Sequence, residues 1–482
     1  MRAHAYSRSI VVSAGLGLLS AIASGCGTTP PASDNDAAVL SDAGNDAGGS
    51  TVDAGRDTGT PPVDGGMPAL CTGTGCEIVA IELMAATSCI RRGNGQVDCW
   101  GRGQDGELGD GAMGHSDDCR RSAGESTVDC TRYAVTVATP SPALETVSRG
   151  SIQSCGLFGT DHQVWCWGGQ FYRLGATLEH RRYAPEHVLV GGDAVADGAI
   201  DLATSFSNLC WVNADHTAEC VGAGGSGRLG NGAFDDAPTP VTVLQPDGMA
   251  PLAGVVDIET SGGHTCALTD TALYCWGNNH YGQIGSGPTH QSCFSAPTTY
   301  DCSYLPVEVT GIDVAHVVDL QLGSETTCVL LDDGHVQCFG SSQAGTLGND
   351  SMLPSADPVE PMGLTNVTEL RVVDGNACAL RQDGTVWCWG PGNVGQIGDG
   401  QRAHSSTLCI DGDGAPYDCA VVPTQVMGLT GATHISVGEG HVCAVVGTSE
   451  VWCWGDSLRY QLGDGMRTTP AFAPVRVIAL GN

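Results

Sequence analysis

The chain has 482 residues, with 70 Gly, 23 Cys and a hydrophobic content of 41%, which is enough for a sizeable core. All 20 basic residues are Arg, which excludes a P-loop lysine, a Schiff-base lysine and a lysine general base. The 53 acidic residues give a formal net charge of −33, which excludes a nucleic-acid partner on electrostatic grounds. We therefore expect an acidic, glycine-rich, all-β protein.

Residues 1–25 have the pattern of an export signal. Arg2 and Arg8 precede an apolar run at residues 10–23, which is too short to span a bilayer as a stable helix. The run ends in Ala-Ser-Gly-Cys at residues 23–26, which resembles the lipobox of bacterial lipoproteins. We predict lipidation of Cys26, with an ordinary cleaved signal and an incidental cysteine as the alternative. Because Gly27 and not Asp follows, the expected location is the cell envelope, anchored to the outer membrane.

Residues 26–70 are predicted to be a disordered linker. The segment is composed mainly of Asp, Ala, Gly, Thr and Pro and has no aromatic residue. Such a stretch buries too little apolar surface to offset its ordering entropy. Calcium binding by its aspartates is the alternative, but their spacing does not match a ligand loop. The folded domain is therefore expected to span residues 71–482.

The cysteines predict a framework of short-range disulfides. Apart from Cys26, 22 cysteines remain, and they fall in order into close pairs. Seven pairs are 9 to 11 residues apart and flank hairpin turn signals, as expected for cysteines opposed on neighbouring strands. Zinc is the alternative, but the short C-x-x-C clusters of zinc sites are missing. The seven predicted hairpin disulfides are Cys89–Cys99, Cys155–Cys166, Cys210–Cys220, Cys266–Cys275, Cys328–Cys338, Cys378–Cys388 and Cys443–Cys453.

Four more pairs lie outside this series. Cys71–Cys76 is expected to staple the start of the domain, just before the first strand. The other three are predicted within inserted segments, at Cys119–Cys130, Cys293–Cys302 and Cys409–Cys419. The insertions cover Met113 to Thr131, Pro288 to Tyr304 and Gln401 to Ala420, and each enters just after the same glycine-containing motif. We therefore expect all three to rise from one face.

The cysteine pairs mark an internal repeat with a mean period of 59 residues. The second cysteine of each pair is followed by an aromatic or apolar residue and Gly, as in Cys275-Trp276-Gly277. A second motif follows at nearly constant spacing, as in Gly282-Gln283-Ile284-Gly285. Repeats of this length with strand-turn-strand content indicate a propeller or an array.

The repeat resembles that of the regulator of chromosome condensation family. Gly263 to Leu268, followed by Tyr274 to Gly277 and Gly282 to Gly285, is the cleanest of the seven copies. The resemblance implies a seven-bladed β-propeller of four-stranded blades, with the tryptophans in the inter-blade core. Since Ala473–Ile478 is similar to a segment taken to open each blade, we predict that it completes blade one. The N- and C-terminal strands would then close the ring as a strap.

The sequence favours a binding module over an enzyme. The inserted segments carry Arg120, Arg121, Phe294, Tyr300 and Tyr417, residue types enriched at interface hot spots, and these are the candidate binding residues. His115, Asp117, Asp118, His290, His404, Asp411 and Asp413 match no triad, metal cluster or carboxylate pair, so no catalytic or metal residues are predicted. A histidine two residues before the first cysteine occurs in only two copies, His264 and His441, and is interpreted as a polar structural position.

We predict a lipid-anchored monomer that binds an unknown protein or an envelope polymer through its loop-bearing face, without a cofactor. Its only contact with the membrane would be the lipid. The alternatives are an extracellular hydrolase at the propeller face or, by family analogy alone, a guanine-nucleotide exchange factor-like protein.

Overall fold

Seven four-stranded antiparallel sheets, the blades, follow one another along the chain. The computed structural model describes residues 71, 74–115, 117–119, 128–139, 144–150, 152–169, 181–191, 194–286, 291–295, 298–404, 409–410, 416–466, 470–478 and 480. The predicted export signal, Cys26 and the predicted linker lie outside these residues. In the described part of the chain, no helix is long and apolar enough to cross a membrane.

Each blade is a meander of four strands in chain order, with inserted strands between the third and fourth in blades one, four and six. Blades one to three comprise Ile78–Leu83, Thr87–Arg92, Val97–Arg102 and Asp129–Thr136; Leu144–Arg149, Gln153–Phe158, Gln163–Gly168 and Arg182–His187; and Ala199–Thr204, Asn208–Asn213, Ala218–Gly222 and Ala237–Thr242. Blades four and five comprise Val255–Thr260, His264–Thr269, Leu273–Asn278 and Thr298–Glu308; and Val317–Leu322, Thr326–Leu331, Val336–Gly340 and Ser355–Val359. Blades six and seven comprise Val367–Val373, Asn376–Arg381, Val386–Pro391 and Cys419–Gln425; and Ala432–Val437, His441–Val446, Glu450–Gly455 and Ala471–Arg476.

The remaining elements are short. Six further strands in the described part of the chain pair outside the four-stranded pattern or extend it, at Asp117–Asp118, Leu189–Gly191, Ala194–Val195, Gln291–Ser295, Cys409–Ile410 and Pro416–Tyr417. Two single turns of 3₁₀ helix lie at Gly225–Gly227 and Val314–His316. The prediction of an all-β, seven-bladed propeller is confirmed.

The hairpin disulfides join directly opposed residues of the second and third strands of every blade. Cys266 faces Cys275 in the strand register, and their Cα atoms are 4.0 Å apart. The other six hairpin pairs have Cα separations of 4.0 to 4.1 Å. The three insertion disulfides and Cys71–Cys76 also form as predicted. Each bridge therefore holds a local register and none crosses between blades.

The predicted strap between the terminal strands is wrong. Ala471–Arg476 pairs with the third strand of blade seven, Val475 lying opposite Cys453, and blade one is completed by its own Asp129–Thr136. The similar segment Leu305–Val309 likewise closes blade four, where Val307 lies opposite Cys275. The motif therefore ends each blade instead of opening the next. The ring closes by packing of blade seven against blade one, in a buried cluster that includes Trp100, Leu462 and Val477.

The Gly-x-Leu/Ile-Gly motif forms an arm that reaches from one blade to the next. The residue after Cys in the third strand, predicted to be inter-blade core, is no more than 1% exposed in all seven blades. In five blades it is a Trp whose Nε1 donates to the carbonyl oxygen of the second residue of the preceding arm, at 2.7 to 3.2 Å. The last glycine of the arm lies against that indole. At Gly463, for example, an added Cβ would be 2.7 Å from Nε1 of Trp100.

Just beyond the arm, the chain is fixed to the outer strand of the following blade. The backbone N–H groups of Gly111, Gly232 and Gly400 donate to the carbonyl oxygens of Tyr183, Tyr304 and Phe472, at 2.7 to 3.0 Å. Every such contact connects neighbouring blades of the ring. The arms therefore replace the strap as the connection between blades.

Side chains on the innermost strands also bind the next blade. Oδ2 of Asp201 accepts a hydrogen bond of 3.1 Å from the backbone N–H of Ile258, and Oγ of Ser436 accepts one of 3.1 Å from that of Leu83. The inner edge of a blade has unpaired N–H groups, and a neighbouring oxygen satisfies them. Acidic side chains such as Asp201 therefore lie on the innermost strands because they accept hydrogen bonds from the backbone of the next blade.

Candidate functional site

The three inserted segments enter between the third and fourth strands of blades one, four and six. They therefore leave the same end of each blade, as predicted. Short strands extend the sheets of blades one and four, where Asp117 pairs with Cys130 and Cys293 with Tyr300. In blade six, Cys409 pairs with Tyr417 in a separate two-stranded sheet. The C-terminal residues of each insertion belong to the fourth strand, so the inserted hairpins are shorter than the sequence indicated.

A histidine held by two aspartates fixes the insertion of blade one. Nδ1 of His115 lies 2.9 Å from Oδ2 of Asp129, and Nε2 lies 3.0 Å from Oδ2 of Asp110. The backbone N–H of His115 also donates to Oδ1 of Asp129, at 2.6 Å. We call this Asp–His–Asp arrangement a clamp. It joins the end of the arm to the start of the outer strand.

Blade six contains the same clamp. Nδ1 of His404 lies 2.5 Å from Oδ2 of Asp418, and Nε2 lies 2.9 Å from Oδ1 of Asp399. In both blades the first aspartate precedes the histidine by five residues and the second follows it by 14, directly before a cysteine. In blade four an amide takes the place of the histidine, because Nδ2 of Asn279 donates to Oδ2 of Asp301 at 2.7 Å.

The clamp favours the protonated imidazole. Hydrogen bonds to Asp110 and Asp129 raise the pKa of His115 to about 9. Burial alone would lower the pKa of His404, but its bonds to Asp399 and Asp418 outweigh burial, so the pKa is raised. His115 therefore carries a positive charge at neutral pH between two carboxylates, and the same kind of contact shifts His404 toward its protonated form. This arrangement stabilises a loop and supplies no free base for catalysis.

Aromatic side chains gather where blade four meets blade three. The ring of His280 makes edge contacts with Tyr281 and Tyr300, with centroids 4.5 and 6.5 Å apart. Phe234 of blade three meets Tyr304 of blade four edge-on at 5.1 Å. We call these five residues the aromatic patch.

Two hydroxyl groups hold the patch in place. The Tyr300 hydroxyl lies 2.9 Å from Oγ of Ser226, and the Tyr281 hydroxyl accepts a hydrogen bond of 2.8 Å from Nε2 of Gln343 in blade five. The rings are therefore oriented before any partner arrives. Phe234 is 43% exposed and His280 is exposed as well, so part of the patch faces solvent.

The predicted polar position before the first cysteine connects blades. Nε2 of His264 lies 2.8 Å from Oγ1 of Thr327 in blade five, and Nε2 of His441 lies 2.9 Å from Oγ of Ser88 in blade one. Burial lowers the pKa of both histidines to about 3, so both are neutral at physiological pH. Asn208, at the same position in blade three, donates to Oγ1 of Thr260 at 2.6 Å.

Two of the predicted binding residues have described side chains, and these lie on different blades. Arg120 and Arg121 lie outside the described residues, as does the side chain of Phe294. Tyr300 belongs to the aromatic patch, whereas Tyr417 lies on blade six. The sequence analysis missed Phe234, His280, Tyr281 and Tyr304, although aromatic residues at variable positions of the repeat were a usable signal. It also missed the clamps, whose identical spacing in two blades could have revealed them.

Among the described residues, no group of three or more His, Cys, Asp or Glu side chains could hold a metal ion. The most perturbed carboxyl group is Glu259 on an innermost strand, 2% exposed. Burial and the nearby Asp257 and Asp201 raise its pKa well above the usual value. The environment of Glu259 thus favours its neutral form.

The fold and the repeated arm define the class of the protein: a seven-bladed β-propeller built from one repeat. Two models described as the regulator of chromosome condensation (RCC1) repeat match, one at residues 270–330 and 383–445, the other at 255–283, 317–346, 367–396 and 432–461. The matched stretches, which lie in blades four to seven, therefore contain RCC1-type repeats.

Relatives agree with this assignment. The chain is 27% identical over 258 residues, or 53% of its length, to the E3 ubiquitin-protein ligase HERC2 of Homo sapiens and to the ultraviolet-B receptor UVR8 of Arabidopsis thaliana. The match spans 5% of HERC2 and 51% of UVR8, so the chain covers about half or less of these proteins.

Solved structures agree on the fold. Human WBSCR16 superposes with a TM-score of 0.59 at 18% identity, covering 79% of this chain and 93% of that one. Prp20p from Saccharomyces cerevisiae, described with its binding properties to Gsp1p and histones, superposes with a TM-score of 0.57 at 17% identity, covering 83% and 87%.

Proposed function

We propose that the chain is an exported scaffold that binds another protein through the end of the propeller that carries the inserted hairpins. The observation that carries the proposal is that three inserted hairpins share one topological position and are each closed by a disulfide. Two of them also have an Asp–His–Asp clamp. Pre-ordered loops on a rigid scaffold lower the entropic cost that a partner has to meet.

Solved relatives support protein partners for this scaffold. Prp20p is described with binding to Gsp1p and histones, and a second structure shows yeast RCC1 bound to Kap60. An envelope polymer is the other class of partner, and the experiment below separates the two. We expect a monomer that needs no cofactor.

Capture from envelope extracts tests the function. One variant replaces residues 113–128 and 401–417 by short Gly-Ser turns, with Cys130→Ser and Cys419→Ser to remove the unpaired cysteines. A control variant replaces the turns at residues 332–335 and 382–385, at the opposite end of the blades. We expect the loop variant to lose the captured protein and the control to retain it. Capture by the loop variant, or capture of polysaccharide alone, would contradict the proposal.

We also propose that Cys26 anchors the chain to a membrane. The lipobox-like Ala-Ser-Gly-Cys supports this, and so do the eleven disulfides, which account for every other cysteine and indicate an oxidising compartment. Cys26→Ser should move the protein from the membrane to the soluble fraction, while Cys71→Ser with Cys76→Ser should not. A Cys26→Ser protein that stays in the membrane fraction would contradict the anchor.

A further inference from the structure

We propose that the aromatic patch binds an arginine side chain of the partner protein. The inference rests on the proposed protein-binding function and states which chemical group of the partner is recognised. Aromatic rings with open faces and acidic neighbours attract a guanidinium group through cation–π and Coulomb interactions. The patch has both features, and an independent comparison within the chain supports the assignment.

The first line of evidence is the exposed aromatic surface. Phe234 and His280 are exposed, and Tyr281, Tyr300 and Tyr304 are half-buried, with two hydroxyls held by Ser226 and Gln343. Each edge contact of His280 and Phe234 places the edge of one ring against one face of the other, so a contact covers a single face of the pair. No described arginine stacks on any of the five rings. Tyrosine-rich, pre-oriented surfaces of this kind are typical of interface hot spots.

The second line of evidence is that the chain itself places arginines on aromatic rings at equivalent positions. At the boundary of blades six and seven, the guanidinium of Arg402 lies 4.4 Å from the ring centroid of Phe472. Arg402 follows the last glycine of its arm by four residues, as Phe234 does in blade three. At the boundary of blades seven and one, Arg132 lies 5.2 Å from the ring centroid of Tyr460. At the boundary of blades three and four, aromatic rings occupy both of the places that hold Arg402 and Arg132 at the other two boundaries. These two places therefore lack the cation that the other boundaries supply.

Charge is the third line of evidence. Burial raises the pKa of Tyr281, and the nearby carboxyl group of Glu325 raises it further. Asp235 is exposed beside Phe234. The guanidinium of Arg228 is the nearby positive group, and carbonyl oxygens of Gly225 and Gly262 hold it. With a net charge of −33, the chain as a whole favours a cationic partner.

The test compares three peptides of equal length, each with four arginines, four lysines or four citrullines, binding to the full-length chain in detergent at 0.15 M and 0.5 M salt. Because the chain is acidic, both cationic peptides will bind at low salt. We expect the arginine peptide to bind about tenfold more tightly than the lysine peptide, and the preference to persist at 0.5 M salt.

Variants locate the site. Tyr281→Ala with Tyr300→Ala should remove the arginine preference, and Tyr281→Phe with Tyr300→Phe should keep it, because the rings remain. Tyr417→Ala is the control on blade six and should change nothing. An unchanged thermal transition confirms that the alanine variant folds.

Two results would overturn the inference: equal binding of arginine and lysine peptides, or a preference that survives the double alanine variant. Binding of an uncharged N-acetylhexosamine oligosaccharide to the patch, without arginine preference, would reassign it to glycans. If the partner is still captured through the hairpins while the peptides fail, the proposed function stands and only this inference fails.

Discussion

Nε1 of Trp100 donates a hydrogen bond of 3.1 Å to the carbonyl oxygen of Gln461, and so the first blade is joined to the last. The Oγ of Ser88 donates to the same carbonyl at 2.7 Å. Four other blade boundaries repeat the indole bond. Between blades four and five the indole is replaced by Phe339, and the hydroxyl of Thr327 alone binds the carbonyl of Gln283, at 2.8 Å.

Loss of this indole should destabilise the whole ring. Trp100→Ala should lower the free energy of unfolding by about 3–5 kcal/mol, because it empties a fully buried site. Trp100→Phe should cost about 1–2 kcal/mol, since it removes one buried hydrogen bond and little volume. Denaturant titration measures both. The half-buried Trp387 is the control, and an equal effect of Trp387→Ala would contradict the assignment of the indole to ring closure.

The last glycine of the arm should be irreplaceable for two separable reasons. Gly463 has φ +62°, and a Cβ there would lie 2.7 Å from Trp100 and 2.8 Å from Val477. Gly447 has nearly the same φ, +63°, but no atom within 4 Å of the added Cβ. Gly447→Ala should therefore show the backbone cost alone, about 1 kcal/mol. Gly463→Ala should cost about 2 kcal/mol more, and similar thermal midpoints for the two variants would be evidence against this account.

Acid should weaken the ring through its two buried histidines. The pKa of His264 and of His441 is about 3 when folded and about 6.5 when unfolded, so the unfolded chain binds more protons below pH 6.5. Stability should fall as pH decreases from 6.5 toward 3, by about 2 kcal/mol per histidine at pH 5. His264→Asn, the residue that blade three has at this position, should reduce this dependence. The exposed His316→Asn serves as the control and should leave it unchanged.

The clamps, in contrast, should lose their stabilising effect as the pH rises. Because the pKa of His115 is raised to about 9, its stabilisation is complete below about pH 6.5 and is lost as pH rises through 9. His115→Gln should expose the buried Cys119–Cys130 disulfide and speed its reduction by a thiol severalfold at pH 7.5. In the same molecule Cys409–Cys419 has its own clamp at His404 and should react as in the unaltered chain. Equal acceleration of both disulfides would indicate general unfolding.

Local features were predictable from the sequence, and long-range ones were not. Cys266 and Cys275 flank one turn, so their spacing already implies the strand register that the structure has. The prediction for Ala473–Ile478 names the wrong blade because the sequence pattern of this segment is compatible with pairing to either neighbouring blade. The pairing of Val475 with Cys453 in the structure shows that the strand belongs to blade seven and not to blade one.

The candidate site was harder to predict for the same reason. The clamp of His404 joins residues on both sides of an insertion, and its pattern occurs in only two of the seven repeats. The aromatic patch draws Phe234 from blade three and Tyr300 from blade four, with Gln343 of blade five holding one of its hydroxyls. Of the patch, Tyr300 and Tyr304 lie in an inserted segment, which is where the sequence analysis sought binding residues, and only Tyr300 was selected there.

If the chain is exported as proposed, the absence of a shared strand has a consequence for how it folds. Each blade is encoded by one uninterrupted stretch and contains its own hairpin disulfide, so it can complete its sheet as soon as that stretch emerges on the far side of the membrane. Neighbouring blades can then join in order of synthesis, and the contacts between blade one and blade seven, such as that of Trp100 with Gln461, have to wait for the last repeat. A chain arrested before blade seven would keep six oxidised blades while leaving the apolar face of blade one exposed to proteases and chaperones.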